Sequence, residues 1–443
     1  MERTAKWVSG TAAFGLAVYL LSPGLFTLID NPAPLTWRNE LVNLTGVIAL
    51  ALMALTMVIS VRPGWADRIT GGLDKAYVIH KWAGIFSMVA LLLHWLMENF
   101  PKWMVEWGWI THPGHLGGDF APPFWMIAVV RTGVLLVEPA FYLLVILVAV
   151  ALIPKVPYHL FRMFHKVFPI VFLIGAYHSV TILFKLQWWL SPAAWLILAL
   201  ALTGVWASFI ALKGRIGTSR KYAATIDHID RYENGLVDLV LDVQGNGFAS
   251  LPGQYAFLTF AHSSEPHPYT IASSGDDPRH VRFVIKALGD HTSALPDKIE
   301  SGQPVTIEGP YGQFFLDRSG ERQIWVAGGI GITPFMARLE ALAHDGGSRK
   351  PVDFWYCTTS EADARFPDRL EELCHKAGVT LHRMSAASNQ FLNADIIRDT
   401  IRNLQDTTVW FCGPEGFARS LKAGLASYGV KPSAFHHDNF NMR

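Results

Sequence analysis

Apolar and polar positions divide the chain into three patterns. The first pattern consists of six apolar runs, each long enough to cross a bilayer as a helix, at about residues 7–29, 41–61, 77–97, 133–153, 160–184 and 192–212. Pro23 is expected to kink the first run, which lacks a convincing small-residue cleavage site and so predicts an uncleaved helix. From about Lys221, short alternating strands such as GLVDLVLDV and VRFVIKAL indicate an antiparallel β-barrel.

The third pattern begins near residue 320, where strands such as IWVAG and TVWFCG alternate with helices and so predict a parallel sheet. A glycine-rich turn follows the first of these strands and leads into a helix, with Thr333 as the expected N-cap and Pro334 in the first turn. Gly328, Gly329 and Gly331 would let backbone amides approach a phosphate group. Such a turn alone is weak support for a nucleotide site, because packing also favours glycine there.

These patterns predict a multidomain fold. We expect a six-helix all-α transmembrane bundle at residues 1–215, an antiparallel β-barrel at 216–319 and an α/β nucleotide-binding domain at 320–443. Near the ends of the spans, ten Lys and Arg residues fall on one side of the membrane and four on the other. The positive-inside rule therefore places both termini and the predicted soluble domains in the cytosol, with the bundle in the cell membrane.

Four histidines in the apolar runs form two matched pairs. His94 follows His80 by 14 residues and His178 follows His165 by 13, so each pair lies on nearly one helix face, about 20 Å apart. A membrane imidazole usually acts as a ligand, a proton relay or a polar bridge between helices. Two matched pairs favour ligation of two haem irons, His80 with His165 and His94 with His178, over accidental spacing.

Charge and cysteine content narrow the functional classes. A formal net charge of +1 gives no reason to expect nucleic acid as a partner. Cys357, Cys374 and Cys412 are irregularly spaced and indicate neither a disulfide framework nor a cysteine-rich metal site, in keeping with a reducing compartment.

The stretches HPYTIASS, GGIGITP and CGP occur in the order, and at about the separation, found in the ferredoxin–NADP reductase superfamily. Together with the paired histidines, they make the whole chain similar to the membrane ferric reductase and NADPH oxidase family. The resemblance implies a cytochrome domain with two b-type haems, joined to a ferredoxin reductase-like dehydrogenase with an FAD-binding barrel and an NAD(P)-binding domain.

The resemblance also implies roles for individual residues. Tyr269 would lie against the flavin ring and Thr270 would hydrogen-bond near its reactive nitrogen, while Phe440 would cover the flavin until the nicotinamide displaces it. Three residues follow Phe440, so Phe435 is the alternative. The implied catalytic residues are Tyr269, Thr270, Cys412 and Phe440. The implied cofactor-binding residues are His267 and Pro268 beside the flavin, Lys286, Gly289 and Thr292 at the FAD diphosphate, Gly328, Gly329, Gly331, Thr333 and Pro334 at the nicotinamide nucleotide's diphosphate, and Cys412, Gly413 and Pro414 beside the nicotinamide.

The choice between NADPH and NADH depends on a site for the 2′-phosphate after the second strand of the nucleotide domain. Thr359, Ser360 and Arg365 could supply hydroxyls and a cation there, whereas Glu361 would oppose a phosphate. This composition favours NADPH as the donor.

The expected function is transfer of electrons from cytosolic NAD(P)H through FAD and two haems to an acceptor outside the cell, with O2 reduced to superoxide as the first choice. A ferric chelate is the alternative acceptor. A donor to a partner protein or quinone, and a non-redox transporter with a regulatory nucleotide domain, remain as rival classes; the last would require that no haem is bound.

Overall fold

The structure, a computed structural model, describes residues 2–111, 123–232, 235–245, 247–261, 263, 265–316, 320–360 and 367–438, without the side chains of Glu2, Asp290 and Pro367. The chain divides into two compact units. One contains Met1–Ala66 and Lys75–Ile216, and the other contains Asp67–Asp74 and Gly217–Met442.

The first unit is helical. Among the described residues, five helices are long and apolar enough to cross a membrane, or six if α1 and α2, which meet at a bend of 60°, form one span. Pro23 lies in the break between these two helices, where a kink was expected. The six-helix prediction is confirmed in this form. The helices are α1 Glu2–Leu20, α2 Gly24–Asp30, α3 Pro34–Ser60, α4 Gly64–Thr70, α5 Leu73–Glu106, α6 Phe124–Leu152, α7 Tyr158–His165, α8 Phe168–Lys185 and α9 Pro192–Leu212.

The run expected as one helix at residues 160–184 is interrupted. It forms α7 and α8, which are separated by Lys166 and Val167. Pro169 lies in the first turn of α8. Proline lacks an N–H group and clashes with the preceding turn, so it is accommodated best in the first turn of a helix and bends or breaks a helix when it lies in the interior.

Close packing in the first unit centres on α8 and α9. Helix α8 packs against α6 and α9, and α3 packs against α1 and α9. The ring of Phe172 fills the space beside Gly204, where an added Cβ would lie 2.1 Å from the ring. Glycine at this position therefore lets α8 and α9 approach each other closely.

The β-barrel is built as expected. In the described chain its six antiparallel strands have the order β4-β3-β6-β1-β2-β5, and a bridge between Ile271 and Phe283 brings the two edges together. The barrel is thus nearly closed around an apolar core that includes Leu239, Leu258 and Ile307. Its strands are β1 Lys221–Tyr232, β2 Leu236–Val243, β3 Tyr255–Phe260, β4 His267–Thr270, β5 His280–Lys286 and β6 Pro304–Tyr311, and a short helix, α10 Asp290–Ser293, follows β5.

The α/β part contains a parallel sheet, which confirms the third predicted pattern. Its five described strands have the order β11-β10-β7-β8-β9, and the core holds the fully buried rings of Trp325, Trp355 and Trp410. The strands are β7 Arg322–Gly328, β8 Val352–Thr358, β9 Val379–Ser385, β10 Thr407–Cys412 and β11 Phe435–His437. The helices are α11 Thr333–His344, α12 Pro367–Ala377, α13 Ala394–Thr400 and α14 Glu415–Ser427.

A charge network links the barrel to the α/β part within the second unit. Arg282 on β5 donates through Nε to Oδ1 of Asp238 at 2.8 Å, and its Nη1 lies 3.6 Å from Oε1 of Glu340 on α11. Arg369 on α12 also binds Glu340, at 2.5 Å. Because Arg282 and Asp238 are largely buried, this network fixes the angle between the two parts better than an exposed ion pair would.

Candidate functional site

A cavity of about 760 Å³ lies in the second unit, at the carboxyl edge of the parallel sheet. Residues from the barrel and from the α/β part both line it. It brings together most of the residues singled out in the sequence: Pro268, Tyr269, Thr270, Lys286, Thr292, Gly328, Gly329, Gly331, Thr333, Thr359, Cys412, Gly413 and Pro414. His267, Gly289, Pro334 and Ser360 are not among the lining residues, and Arg365 and Phe440 lie outside the described residues.

Strand β4 presents Tyr269 beside the cavity. The Tyr269 ring packs on the barrel core, while its hydroxyl is buried and has no hydrogen-bond partner among the described residues. Burial raises the pKa of this phenol, so the hydroxyl stays protonated and able to donate. A buried donor of this kind needs a polar acceptor, which the flavin ring would supply.

Two histidines join the segments expected to hold FAD. The rings of His267 on β4 and His291 on α10 stack with centroids 3.6 Å apart at 17°. Next to them, the Thr292 hydroxyl accepts hydrogen bonds from the backbone N–H groups of Leu288 and Gly289 and so shapes the turn. The sequence patterns did not indicate His291, although it lies within the GDHT stretch already assigned to FAD.

The glycine-rich turn fits against the CGP loop, backbone to backbone. A Cβ on Gly331 would lie 2.2 Å from the carbonyl oxygen of Cys412, and one on Gly328 would lie 2.9 Å from Cδ of Pro414. Gly329 has φ +56°, the left-handed region that favours glycine. These three positions therefore require glycine for two different physical reasons, and neither depends on a bound phosphate.

The N-cap expectation for Thr333 is wrong. Residues 329–332 form a 3-10 turn, and Thr333 is the first residue of α11. Its hydroxyl donates to the carbonyl oxygen of Ile330 at 2.8 Å instead of accepting a helix N–H. Pro334 lies in the first turn, as expected.

Phe435 is not suited to cover a flavin. It lies on β11, is only 5% exposed and packs beside Phe411 in the core. The alternative assignment of the stacking ring to Phe435 is therefore excluded, while Phe440 remains a prediction.

Residues that the sequence did not single out extend the cavity past β8 and β9. Their common feature is position: most follow the carboxyl end of a strand, where open α/β sheets bind ligands. That rule could have indicated the loops, although not the individual side chains. These lining residues are Cys357, Thr358, Ala386, Gln390, Phe391 and Leu392, with Leu288 on the barrel side.

In the first unit, two of the four histidines have a fixed tautomer. Nδ1 of His80 lies 3.0 Å from the carbonyl oxygen of Thr56, and Nδ1 of His94 lies 2.9 Å from that of Val42. A carbonyl oxygen only accepts hydrogen bonds, so each Nδ1 carries the proton and each Nε2 keeps a free lone pair. This is the arrangement by which a metal-binding histidine is oriented.

One of the expected histidine pairs, His80 with His165, has a ring separation that suits two imidazoles sharing one metal. The ring centroids of His80 and His165 are 5.9 Å apart, with the planes at 54°. Two imidazoles on opposite sides of a metal, each with a bond of about 2 Å, have centroids about 6 Å apart.

Apolar side chains and two glycines lie between the histidine positions on α5 and α8. Met88 and Leu91 on α5 belong to the same apolar cluster as Val171 and Ile174 on α8. A Cβ added at Gly84 on α5 or at Gly175 on α8 would meet no atom within 4 Å. No group of three or more metal-binding side chains occurs among the described residues.

Comparison with known families covers all three parts of the chain. The "Ferric reductase like transmembrane component" model matches residues 45–176, the "FAD-binding domain" model matches 222–314, and the "Oxidoreductase NAD-binding domain" model matches 325–423. The chain therefore combines a ferric reductase-like transmembrane component with FAD-binding and NAD-binding oxidoreductase domains. The expected resemblance is confirmed, and this ferric reductase-like protein is an NAD(P)H-driven electron-transfer enzyme with FAD- and NAD(P)H-binding domains.

Curated relatives of this ferric reductase-like protein match about half of it. The toluate 1,2-dioxygenase electron transfer component of Pseudomonas putida is 26% identical over 228 residues, which cover 49% of this chain and 67% of the relative. The propane 2-monooxygenase reductase component of Rhodococcus jostii is 24% identical over 233 residues, covering 48% of this chain and 62% of the relative. The chain thus spans about two thirds of the length of these relatives.

Solved structures show a similar coverage. The Amycolatopsis cytochrome P450 reductase is 20% identical with a TM-score of 0.45, covering 50% of this chain and 70% of that structure. The FAD/NAD-binding domain of nitric oxide dioxygenase from Vibrio cholerae is 20% identical with a TM-score of 0.43, covering 49% and 97%.

Burial disfavours the thiolate form of all three cysteines of the ferric reductase-like protein. Burial raises the pKa of the Cys357 and Cys374 thiols to about 12 and that of Cys412 well above its usual value. At pH 8 only about one Cys357 thiol in ten thousand is then a thiolate. Cys412 therefore contributes shape beside the glycine-rich turn and not a nucleophile.

We expect N-ethylmaleimide to leave all three thiols unlabelled over minutes at pH 8, and to label them fully after unfolding, as measured by mass spectrometry. Because each folded-state pKa is raised, reactivity should rise only far above pH 8. A Lys431→Cys variant, which adds a thiol at an exposed position, is the positive control. Rapid labelling of Cys412 that NADPH prevents would show that this thiol is accessible and activated, contrary to expectation.

Proposed function

We propose that this protein carries electrons from cytosolic NAD(P)H through FAD and two b-type haems to an acceptor outside the cell membrane, with NADPH as the preferred donor and O2, reduced to superoxide, as the preferred acceptor. The observation that carries the proposal is the position of the His80 and His165 rings, whose centroids lie 5.9 Å apart in the helical bundle. The same chain also contains the FAD- and NAD-binding domains. The proposal assigns the haem step to residues 1–215, the flavin step to 216–319 and the nicotinamide step to 320–443.

The dehydrogenase residues position the reactants. When bound, FAD takes up a hydride and releases electrons singly, which is the form that haem iron accepts. Tyr269 and Thr270 on β4 would hold the flavin ring through hydrogen bonds, and Lys286 would place a positive charge near the FAD diphosphate. The amides of the turn at Gly328–Gly331 would hold the diphosphate of the nicotinamide nucleotide.

The membrane histidines would form two sites, one above the other. His80 and His165 would hold the haem near the cytosolic face, and His94 and His178 would hold the haem near the outer face. The hydrogen bonds from Nδ1 of His80 and His94 to backbone carbonyls would orient each ring with Nε2 free to bind iron, and would raise the basicity of the imidazole. The bilayer and the apolar helices around these side chains would keep water away from both sites.

Selection of NADPH would rest on the loop after β8. Thr359 lines the cavity, and Ser360 follows it on the same loop. We propose that their hydroxyls, together with the Arg365 guanidinium, bind the 2′-phosphate. Phe440 is proposed to cover the flavin before the nicotinamide arrives.

Two specific observations support other acceptors. The transmembrane family model is described as ferric reductase-like, which favours a ferric chelate. Relatives of the dehydrogenase half are electron transfer components of dioxygenases, which favours delivery of electrons to a partner protein. A quinone would serve the same role within the membrane.

Optical spectra of the purified protein test the proposal. NADPH added without oxygen is expected to bleach the flavin and to shift the spectrum of two haems per chain to the reduced form. Admission of O2 should reoxidise both haems and produce superoxide. A colourless protein would contradict the haem assignment, and a flavin that NADPH does not bleach would contradict the donor.

A second measurement on the same protein distinguishes O2 from a ferric chelate as the electron acceptor. Ferric chelate reduction that disappears when superoxide dismutase is added shows that superoxide is the direct product. Ferric reduction that persists without oxygen shows a ferric reductase. Haems that stay reduced in the presence of both acceptors indicate a partner protein or a quinone.

A further inference from the structure

Helix α7 carries an exposed apolar ridge, formed by Leu160, Met163 and Phe164. All eight residues of α7 are described, and each is exposed or half-buried. The three ridge side chains are between 37% and 53% exposed, and their spacing of three and four residues places them on one face of the helix. His165, whose ring lies beside that of His80, is about 150° from the middle of the ridge. The ridge therefore points away from the histidine pair.

The stretch from Tyr158 to Lys185 contains more helix than the hydrocarbon core of a bilayer can hold. Its 28 residues extend about 42 Å, whereas the core is about 30 Å thick. The 18 residues of α8 alone extend about 27 Å and so match the core. Arg162 and Lys166 are charged and costly to place in the core. Helix α7 therefore lies in the headgroup layer, where its ridge reaches the upper acyl chains.

The charge around α7 has one sign. The sequence has no Asp or Glu between Glu138 and Asp227. Helix α9 packs on α8 and returns across the bundle, so its last residues lie at the same end as α7. Five basic residues at this end form what we call the basic cluster: Lys155, Arg162, Lys166, Lys213 and Arg215. Four of them are exposed, and Arg162 is half-buried. Clusters of about four to eight Lys and Arg residues beside membrane helices are typical of sites for anionic lipid headgroups.

We propose that α7 and the basic cluster bind an anionic phospholipid. Lys155, which precedes α7, and Lys166, which follows it, would bind the phosphate, while the acyl chains would pack on the apolar ridge. A zwitterionic lipid carries an ammonium group beside its phosphate, and the basic cluster repels that group. An anionic lipid such as phosphatidylglycerol brings no cation, so the site selects it. Because α7 ends at His165, the bound lipid also restrains the helix that carries this histidine.

Native mass spectrometry of the whole protein in neutral detergent tests the site. Phosphatidylglycerol and phosphatidylcholine with identical acyl chains are titrated against the wild type and against the double variant Lys155→Gln/Lys166→Gln. The double variant is expected to bind phosphatidylglycerol about thirtyfold more weakly, because each lysine at an anionic surface contributes about a factor of five. Its affinity for phosphatidylcholine should stay at the wild-type value.

The matched control is Lys102→Gln/Lys185→Gln, which removes the same two charges near the other ends of α5 and α8. Both lysines are exposed. This variant should bind phosphatidylglycerol as the wild type does. Equal weakening in the two double variants would show attraction by total charge alone and would overturn the proposal. Wild-type protein that binds the two lipids equally, or a Lys155→Gln/Lys166→Gln variant that keeps its preference, would overturn it as well.

Glycerophosphoglycerol, the headgroup without acyl chains, distinguishes a lipid site from a site for a free phosphate ester. It should bind the wild type at least about tenfold more weakly than the lipid, because it cannot cover the apolar ridge. Equal binding would contradict a lipid surface. These measurements involve no electron transfer, so their failure leaves the proposed electron route intact. A protein without haem that still selects phosphatidylglycerol through Lys155 and Lys166 would support the lipid site alone.

Discussion

Replacing His165 with leucine is expected to remove one haem per chain and to lower reduction of the outer acceptor at least about 100-fold, while NAD(P)H oxidation with a soluble dye stays at the wild-type rate. Leucine cannot bind iron, and His80 alone offers one of the two ligands of its site. Loss of residues that merely orient a metal ligand already costs 10- to 100-fold in affinity or activity, so loss of a ligand sets a lower bound of that order. Haem content is measured by extraction and optical spectroscopy, and acceptor reduction is measured on the same preparation.

The matched control is His159→Leu. His159 lies on the same helix, α7, but it is exposed and has no role in the proposed haem site. This variant should keep two haems and full transfer. Two haems in His165→Leu would refute the assignment, and a loss of dye-linked NAD(P)H oxidation would show that the substitution disturbs folding beyond the haem site.

The second large effect is expected for Gly331→Ala. The new Cβ would lie 2.2 Å from the carbonyl oxygen of Cys412 and 2.6 Å from its carbonyl carbon, so two backbone segments must move apart. Both segments line the proposed nicotinamide site, and a displacement of about 1 Å at a reacting centre can lower a rate about 100-fold. We expect a loss of this order in dye-linked NADPH oxidation, with FAD content unchanged.

Gly416→Ala provides the comparison for this variant. Gly416 lies in α14, three residues after Gly413 of the CGP loop. A Cβ added at Gly416 would meet no atom within 4 Å. Because alanine favours helix over glycine, this variant should be as active and at least as stable as the wild type. Near-normal NADPH oxidation by Gly331→Ala would mean that the glycine-rich turn does not form part of the nicotinamide site.

The helices and strands that have a clear pattern of apolar positions were predictable from the sequence. Apolar runs of twenty residues or more become helices because the bilayer leaves no other partner for their backbone groups. The strands of the barrel were predictable from alternating apolar and polar residues, because successive side chains of a strand point to opposite faces of the sheet. Pro169 was a signal for the break between α7 and α8, because proline fits best in the first turn of a helix. The signal is not decisive, since Pro101 and Pro139 lie inside α5 and α6, and the continuous apolar composition of residues 160–184 hid it.

The residues of the cavity were predictable only where a motif marked them. The HPYT, GGIGITP and CGP stretches reach the same cavity, because glycine and proline at fixed spacing report on a backbone path. Phe391 and His291 carried no such signal. Their positions depend on an irregular turn and on a stacking partner distant in sequence, His267, which periodicity does not encode.

The ionic contacts between the barrel and the α/β part could not be predicted from the sequence either. Asp238, Arg282 and Glu340 are far apart in the sequence and look like ordinary surface charges of a strand or a helix. Only the packing of β5 against α11 shows that they neutralise one another in a partly buried place.

The length of α5 has a consequence for handling the protein. Its 34 residues extend about 50 Å, whereas the hydrocarbon core of a bilayer is about 30 Å thick. The helix must therefore tilt or project into the headgroup layer. The rings of Trp95 and Trp103 on α5, and of Trp107 just past its end, suit that layer. The acyl-chain length of the lipids used for reconstitution should thus change the inclination of the helix that bears His80 and His94, and short-chain detergents are a poor substitute for a bilayer of natural thickness.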